Sequence, residues 1–267
     1  MNSISPNLNL MIKACEKASK VIIRDFGELE NLQVSKKGPK DFVTKTDKRV
    51  EKILIEELTK SKKNYSFITE ETGEILNKNR DIFWIIDPID GTKELINGSD
   101  EFTLNIALIN NQKPILGAIY QPMKDSIFLG GIDLPPKKII NEKTEFLSNK
   151  NNQTCNVLIS KSHSSEEEIE FCEKVMSKFK ESKVIRMGSS IKFCKICEGI
   201  ADLYPRFGDI YSWDIAAGHA ILKSFGGDVL DSDLQEISYD MKEKQLIKGF
   251  FAFSNEKRLD FLRQIDS

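Results

Sequence analysis

The sequence has no apolar run approaching the ~20 residues that a membrane-spanning helix needs, so none is expected. It also lacks a basic surplus: 39 Lys and Arg stand against 41 Asp and Glu, for a net charge of −2. That balance offers little to a polymeric nucleic acid. Cysteine is sparse, odd in number and scattered, at positions 15, 155, 172, 194 and 197. This argues against a disulfide framework and for a reducing cytoplasm. Met1 to Lys13 lacks the basic-then-apolar layout of a secretory signal, and no internal repeat is visible. Cys194-x-x-Cys197 has no second pair to complete a zinc site and falls in an expected helix, Ile191 to Glu198, so its thiols are read as packing. What remains is a chain with 40% hydrophobic residues, long enough for a large core in one domain or two fused halves.

The densest chemistry lies in Trp84-Ile85-Ile86-Asp87-Pro88-Ile89-Asp90-Gly91-Thr92. An apolar run, read as a buried strand, stops in two carboxylates with Pro between them. Pro has no N–H to donate and is expected to end strand pairing, which puts Asp87 and Asp90 in a turn at the strand's end. Two bare carboxylates so close repel each other, and a divalent cation would remove the conflict. Carboxylate plus backbone carbonyl is a hard-oxygen set that suits Mg²⁺ or Mn²⁺. Gly91 and Thr92 add backbone N–H groups and a hydroxyl for an anion.

Elsewhere, Leu8 to Phe26 has the apolar spacing of an amphipathic helix. Val34 to Pro39 is turn-like, and a second helix is expected from about Lys48 to Lys60, with Asp47 as its cap, a role that leaves a metal site open. Tyr65 to Ile68 reads as a strand ending at Glu70-Glu71; if it neighbours the central strand, Glu70 reaches the same ion. Phe102 to Ile109 and Pro114 to Tyr120 form a hairpin, with a third strand at Ser126 to Gly130. Leu134 to Thr154, rich in Lys and Asn with two prolines, reads as a surface excursion and a boundary between halves 1–150 and 151–267. The second half alternates strand and helix: strands at 156–160, 184–187, 201–204 and 228–230, helices at 166–179, 191–197 and 214–225. That order predicts an α/β half with parallel neighbours. Asp214 opens the last of these helices, as a cap that could also complete a metal site.

Three separated strings, Glu70-Glu71, Asp87-Pro-Ile-Asp90-Gly91-Thr92 and Trp213-Asp214-x-Ala-Ala-Gly-His219, resemble the inositol monophosphatase superfamily of Mg²⁺-dependent, lithium-sensitive phosphatases. Gly91-Thr92-Lys93-Glu94, Ile159-Ser-Lys-Ser-His163, Gly188-Ser-Ser-Ile-Lys-Phe-Cys194 and Leu203-Tyr-Pro-Arg-Phe-Gly208 are similar to its 3′(2′),5′-bisphosphate nucleotidases of the CysQ type. The resemblance implies a layered αβαβα sandwich, α+β in its first half and α/β in its second, with the active site at the seam. It implies hydrolysis of the 3′-phosphate of adenosine 3′,5′-bisphosphate to AMP, leaves open whether 3′-phosphoadenylyl sulfate is also cleaved, and has inositol monophosphatase or a broader sugar phosphatase as the alternative. Outside enzymes, a metal- and nucleotide-binding regulator that has lost turnover is the rival.

The resemblance further implies Glu70, Asp87, Asp90, Asp214 and the Ile89 carbonyl as ligands for two or three Mg²⁺ ions, replaceable by Mn²⁺ and inhibited by Li⁺. It implies Asp47 and Thr92 as the pair that holds and deprotonates the attacking water, with Glu70 orienting ion and water. Ile89, Asp90, Gly91, Thr92 and Asp214 would border the departing phosphate. Nucleotide contacts are implied for His163, Ser189, Lys192 and Arg206. A fixed cation at Arg206 would meet a second phosphate with a bidentate contact and offer a neutral polyol little. His219 is read as structural. The partner is a small nucleotide bisphosphate; monomer and homodimer both stay open, as does peripheral contact of a cytoplasmic protein with the inner membrane face.

Overall fold

A computed structural model describes residues 4–33, 39–61, 63–77, 79–149, 154–161, 165–241 and 245–265. The chain opens with α1 (Ile4–Gln33). Its Met11, Ala14, Cys15, Ala18 and Ile22 recur at helical spacing and are all buried. Against it packs α2 (Pro39–Leu58), through Val50, Leu54 and Leu58. This helix begins at Pro39, where the missing N–H costs nothing, and not near Lys48. Asp47 is therefore a helix-interior residue, not a cap. The poor helix former Thr46 is held there by tertiary contact: its hydroxyl donates to Asp25 on α1 at 2.7 Å. The expected turn at 34–38 lies outside the described residues.

Then come β1 (Tyr65–Thr69), β2 (Gly73–Ile75), β3 (Asn79–Asp90), the short helix α3 (Thr92–Ile96), and β4 (Thr103–Asn110) through β5 (Lys113–Gln121) and β6 (Ser126–Gly131). The segment expected as a surface excursion instead adds β7 (Leu134–Ile140) and β8 (Lys143–Phe146) to the same sheet. The adjacent prolines did not prevent this, because the β6–β7 register slips between Leu129 and Gly131, opposite them. The sheet runs β2-β1-β3-β4-β5-β6-β7-β8. All its pairs are antiparallel except β1–β3.

The second half continues as β9 (Val157–Ser160), α4 (Glu166–Lys178), β10 (Val184–Met187), α5 (Ile191–Cys197), β11 (Leu203–Arg206), β12 (Ile210–Tyr211) and α6 (Ser212–Phe225). It closes with β13 (Asp228–Asp231), β14 (Leu246–Ile247), β15 (Phe250–Phe253) and α7 (Glu256–Ile265), of which the last three had no sequence expectation. The second sheet runs β10-β9-β11-β15-β13. Its first three strands are parallel, as the strand–helix alternation predicts, but β15 enters antiparallel to both neighbours.

Three buried clusters stack these elements into five layers. α1 and α2 cover one face of the first sheet. α5 and α6 fill the space between the sheets. α4 and α7 cover the far face of the second sheet. Helix α6 is the tightest fit. A Cβ at Gly117 on β5 would lie 2.3 Å from the Ala217 carbonyl oxygen, and one at Gly218 would lie 2.3 Å from the Phe193 ring. Gly117→Ala is expected to cost about 1–3 kcal/mol, because backbone cannot rotate aside, and thermal denaturation measures it.

Candidate active site

The site grows from the end of β3. This strand is paired on both sides: parallel to β1 as far as Thr69↔Ile86, and antiparallel to β4. Pro88 does not end the strand as expected. Pairing with β4 resumes at Asp90↔Thr103 after an irregularity between Asp87 and Asp90, and Pro88 falls inside that bulge, where no ladder donor is needed. The bulge turns both aspartates toward one cavity. Since β1 does neighbour β3, the Glu70 N–H donates to the Ile86 carbonyl at 3.2 Å, and the Glu70 side chain reaches Asp87.

The third aspartate arrives from the middle layer. Asp214 lies at the third position of α6, where its carboxylate accepts the Tyr211 N–H at 3.0 Å in a capping box. Carboxylate oxygens of Asp87, Asp90 and Asp214 lie within 4.8 Å of one another. Burial pushes all three up, well up at Asp87 and Asp214, where repulsion from neighbouring carboxylates adds to it, and less at Asp90, where Lys192 and the Ser190 N–H oppose it. Glu70, at the mouth, is also raised, by partial desolvation and then by Asp90 and Glu71. Among the described residues, the buried Asp87 Oδ1 finds no N–H or O–H donor. Two carboxyls can face each other as Glu70 and Asp87 do only around a shared proton or a cation. An orphaned hard oxygen within a crowd of carboxylates fits a divalent ion of the Mg²⁺ or Mn²⁺ type, and the three aspartates could hold one.

A residue chain not foreseen from sequence braces the cluster. The Thr103 hydroxyl bonds Ser190 Oγ at 2.7 Å, Ser190 Oγ donates to Asn105 Oδ1 at 2.7 Å, and Asn105 Nδ2 donates to Asp87 Oδ2 at 3.4 Å. The Ser190 N–H also donates to Asp90. The signal was present in β4, where Thr103 and Asn105 interrupt an apolar strand at the same-face spacing, both fully buried. Glu51 was likewise missed. Its carboxylate accepts the Glu71 N–H at 3.0 Å and the Thr72 hydroxyl, which fixes the turn behind Glu70.

Gly91 caps α3 at φ 96°, and a Cβ there would crowd Glu101 and Phe102, so the turn after Asp90 requires glycine. Thr92 Oγ1 donates to the Ile89 carbonyl at 3.2 Å. Asp47 lies on α2, which packs on α3, within electrostatic reach of Glu71, Glu70 and Glu51. Its Oδ1 has no donor among the described residues, and burial, then Glu71, Glu70 and Glu51, push it up to about 8.

A cavity of about 560 Å³ opens over these groups and is lined also by Ser189, Lys192, Tyr204 and Arg206. Lys192, expected to bring a point charge near an anion, lines the cavity and also braces a loop. It is buried, its Nζ donates to the carbonyls of Ser189 at 2.6 Å and Met187 at 3.3 Å, and it lies over the Tyr204 ring. It thereby holds Ser189 in a left-handed turn (φ 47°). Burial pushes the ammonium down to about 8. His163 lies outside the described residues. His219 is structural as read: its ring nitrogens bond Tyr239 at 2.9 Å and Asp228 at 2.8 Å. Cys194 and Cys197 are buried free thiols.

Five alternating layers with a carboxylate cluster under a cation-lined cavity define a phosphatase of the αβαβα class. The inositol monophosphatase family profile matches residues 4–260, and the chain belongs to that family. It is similar to the 3′(2′),5′-bisphosphate nucleotidase CysQ of Buchnera aphidicola, at 33% identity over 92% of both chains. The inositol-1-monophosphatase of Rhizobium meliloti is 34% identical over 85% of both chains. Among solved structures, CysQ from Bacteroides thetaiotaomicron, a member of the same family, matches with a TM-score of 0.79 at 27% identity, covering 93% of this chain and 98% of that one. Identity alone therefore does not separate nucleotidase from inositol phosphatase.

Proposed function

We propose that the protein hydrolyses the 3′-phosphate of adenosine 3′,5′-bisphosphate to AMP and phosphate, with Mg²⁺ as its cofactor. The observation that carries this reading is Arg206. A guanidinium in the wall of the cavity that holds the acidic cluster suits a substrate with a second phosphate. The nucleotidase relatives support the same reading. In it, residues 1–150 supply most of the acidic cluster and 151–267 the nucleotide contacts.

Asp87, Asp90, Asp214, Glu70 and the Ile89 carbonyl would hold two or three divalent ions. Bound there, the metal supplies Lewis acidity toward the phosphoryl oxygens. With its proton on the Ile89 carbonyl, Thr92 Oγ offers lone pairs only, so it accepts from the attacking water. Asp47 takes that water's proton. The water oxygen bonds to phosphorus as the bond to the ribose 3′-oxygen breaks; that oxygen keeps the electron pair and takes a proton from solvent, and Asp47 returns its own proton to solvent. The Gly91 and Thr92 amides face the charge that develops on the phosphoryl oxygens.

Phosphate release from adenosine 3′,5′-bisphosphate and from inositol 1-phosphate, measured side by side with and without Mg²⁺ and Li⁺, tests the proposal. The bisphosphate should be strongly preferred, and the reaction should need Mg²⁺ and fall with Li⁺. Preference for inositol 1-phosphate would transfer the protein to the inositol phosphatases. Arg206→Ala should lower kcat/KM for the bisphosphate by more than about tenfold and far less for a nucleoside monophosphate.

A further inference from the structure

Helix α4 buries Glu168, Phe171, Cys172 and Val175. These occupy one stripe at positions i, i+3, i+4 and i+7, which is the apolar face of an amphipathic helix. The last three meet the second sheet as hydrophobes in the outer core. Glu168 is the exception, a carboxylate where the pattern calls for a hydrophobe. Its N–H is spent on the cap, donating to Ser165 Oγ at 3.2 Å. Its side chain is 1% exposed and faces Arg206, whose Nη1 lies 3.6 Å from its Oε1. A carboxylate taken out of water without a paired cation is strongly destabilising, so its retention on a core stripe calls for a reason beyond packing.

The geometry of Arg206 supplies that reason. Its backbone is fixed by β11 pairing with β15, Arg206↔Phe250. Gly249 lies close over the Arg206 carbonyl at φ 119°, a left-handed position at which a Cβ would be 2.5 Å from that oxygen. The side chain is long and flexible, and it stands where two kinds of anion compete for it. On the cavity side is the acidic cluster, whose Asp90 and Asp214 line the same cavity as Arg206. On the other side is Glu168.

We infer that Glu168 is a positioning residue: as a buried ion-pair partner 3.6 Å from Nη1, not a hydrogen-bonded one, it draws one edge of the Arg206 guanidinium and so favours the orientation in which the other edge is aimed at the substrate's second phosphate and off the carboxylate of Asp214. Glu168 does not line the cavity, so it acts on substrate only through Arg206. A planar guanidinium biased toward one orientation by a neighbouring charge loses less freedom when it forms a bidentate phosphate contact. Without Glu168 the same cation would turn toward Asp214, which weakens second-phosphate recognition and competes with whatever the acidic cluster binds.

This inference rests on the bisphosphate reading above, and its test separates the two. Glu168→Gln keeps the shape and removes the charge. Wild type, Glu168→Gln, Glu168→Asp, Arg206→Ala and the double variant Glu168→Gln/Arg206→Ala are assayed on adenosine 3′,5′-bisphosphate and adenosine 3′-monophosphate. For Glu168→Gln, the ratio of kcat/KM between bisphosphate and monophosphate should fall about tenfold, carried by KM of the bisphosphate. Glu168→Asp should recover part of it, and the double variant should be no less selective than Arg206→Ala alone. A Glu168→Gln ratio equal to wild type, or selectivity losses that add in the double variant, would overturn the positioning role. So would equal losses on both substrates. If Glu168→Gln does not fold, Glu168→Asp carries the test, and an unchanged ratio there is the overturning result. A wild type that does not prefer the bisphosphate would instead remove the substrate reading, and this inference with it.

Discussion

Asp90→Asn should lose roughly a thousandfold or more of kcat, about 4 kcal/mol of transition-state stabilisation, while the fold persists. Asp90 stands where three constraints meet. The β3 bulge aims it, the Ser190 N–H holds one oxygen, and its other neighbours are Asp87 and Asp214. Asparagine keeps the size but offers one carbonyl oxygen and no charge, so the cluster's hold on a divalent ion should collapse with it. Removing one charge from a repelling group also relieves the protein when no metal is present. The variant's metal-free melting temperature should therefore equal or exceed that of wild type. Phosphate release, Mg²⁺ titration calorimetry and a thermal melt in EDTA check the three statements. A variant with wild-type turnover would remove the proposed metal site.

The second large effect is a dependence of stability on pH that reverses the usual acid behaviour of carboxylates. In unfolded chain these groups titrate near ~4. In the folded protein Asp47 is pushed up to about 8, and Asp87, Asp90, Asp214 and Glu70 are raised as well. The folded state then binds more protons than the unfolded one between those values. Stability from these groups is complete at low pH and is lost as pH rises from ~4 through about 8. In EDTA the protein should melt higher at about pH 5.5 than at pH 8, by roughly 5 °C or more, since each kcal/mol is worth about 2–4 °C in a chain of this size. Saturating Mg²⁺ should raise the melting temperature at pH 8 and close the gap, because a ligand of the folded state stabilises it by mass action. A melting temperature that climbs with pH in EDTA would mean that the carboxylates are not squeezed together.

Much of the site was legible because chemistry leaves residue types that packing does not ask for. Asp87 and Asp90 end an apolar strand, and Asp214 opens a helix of small residues; both strings could be read without neighbours. Positions whose meaning depends on a distant contact were harder. Asp47 looked like a cap because Thr44 and Thr46 are poor helix formers, and only the bond from Thr46 to Asp25 on another helix reveals why α2 starts earlier. Pro88 and Pro135-Pro136 looked like breaks, and register slips let the strands run through. Lys192 carries the right charge for an anion site, and two of its three proton donors also go to carbonyls of the loop it anchors, a role that no sequence pattern signals. Thr103, Asn105 and Ser190 mean something only once β4 and α5 are side by side.

Helix α6 joins fold and chemistry in one object. Its first turn carries Asp214, and its two flanks are clamped against glycine and ring with no slack, at Gly117 and at Phe193. The sheets on either side thus have no hinge between them that could open without dragging an aspartate out of the cluster. The open side of the cavity is rimmed by the turns that carry Glu70, Ser189 and Asp209, so access to the aspartates lies there, and the deep interior serves as a fixed anvil beneath it.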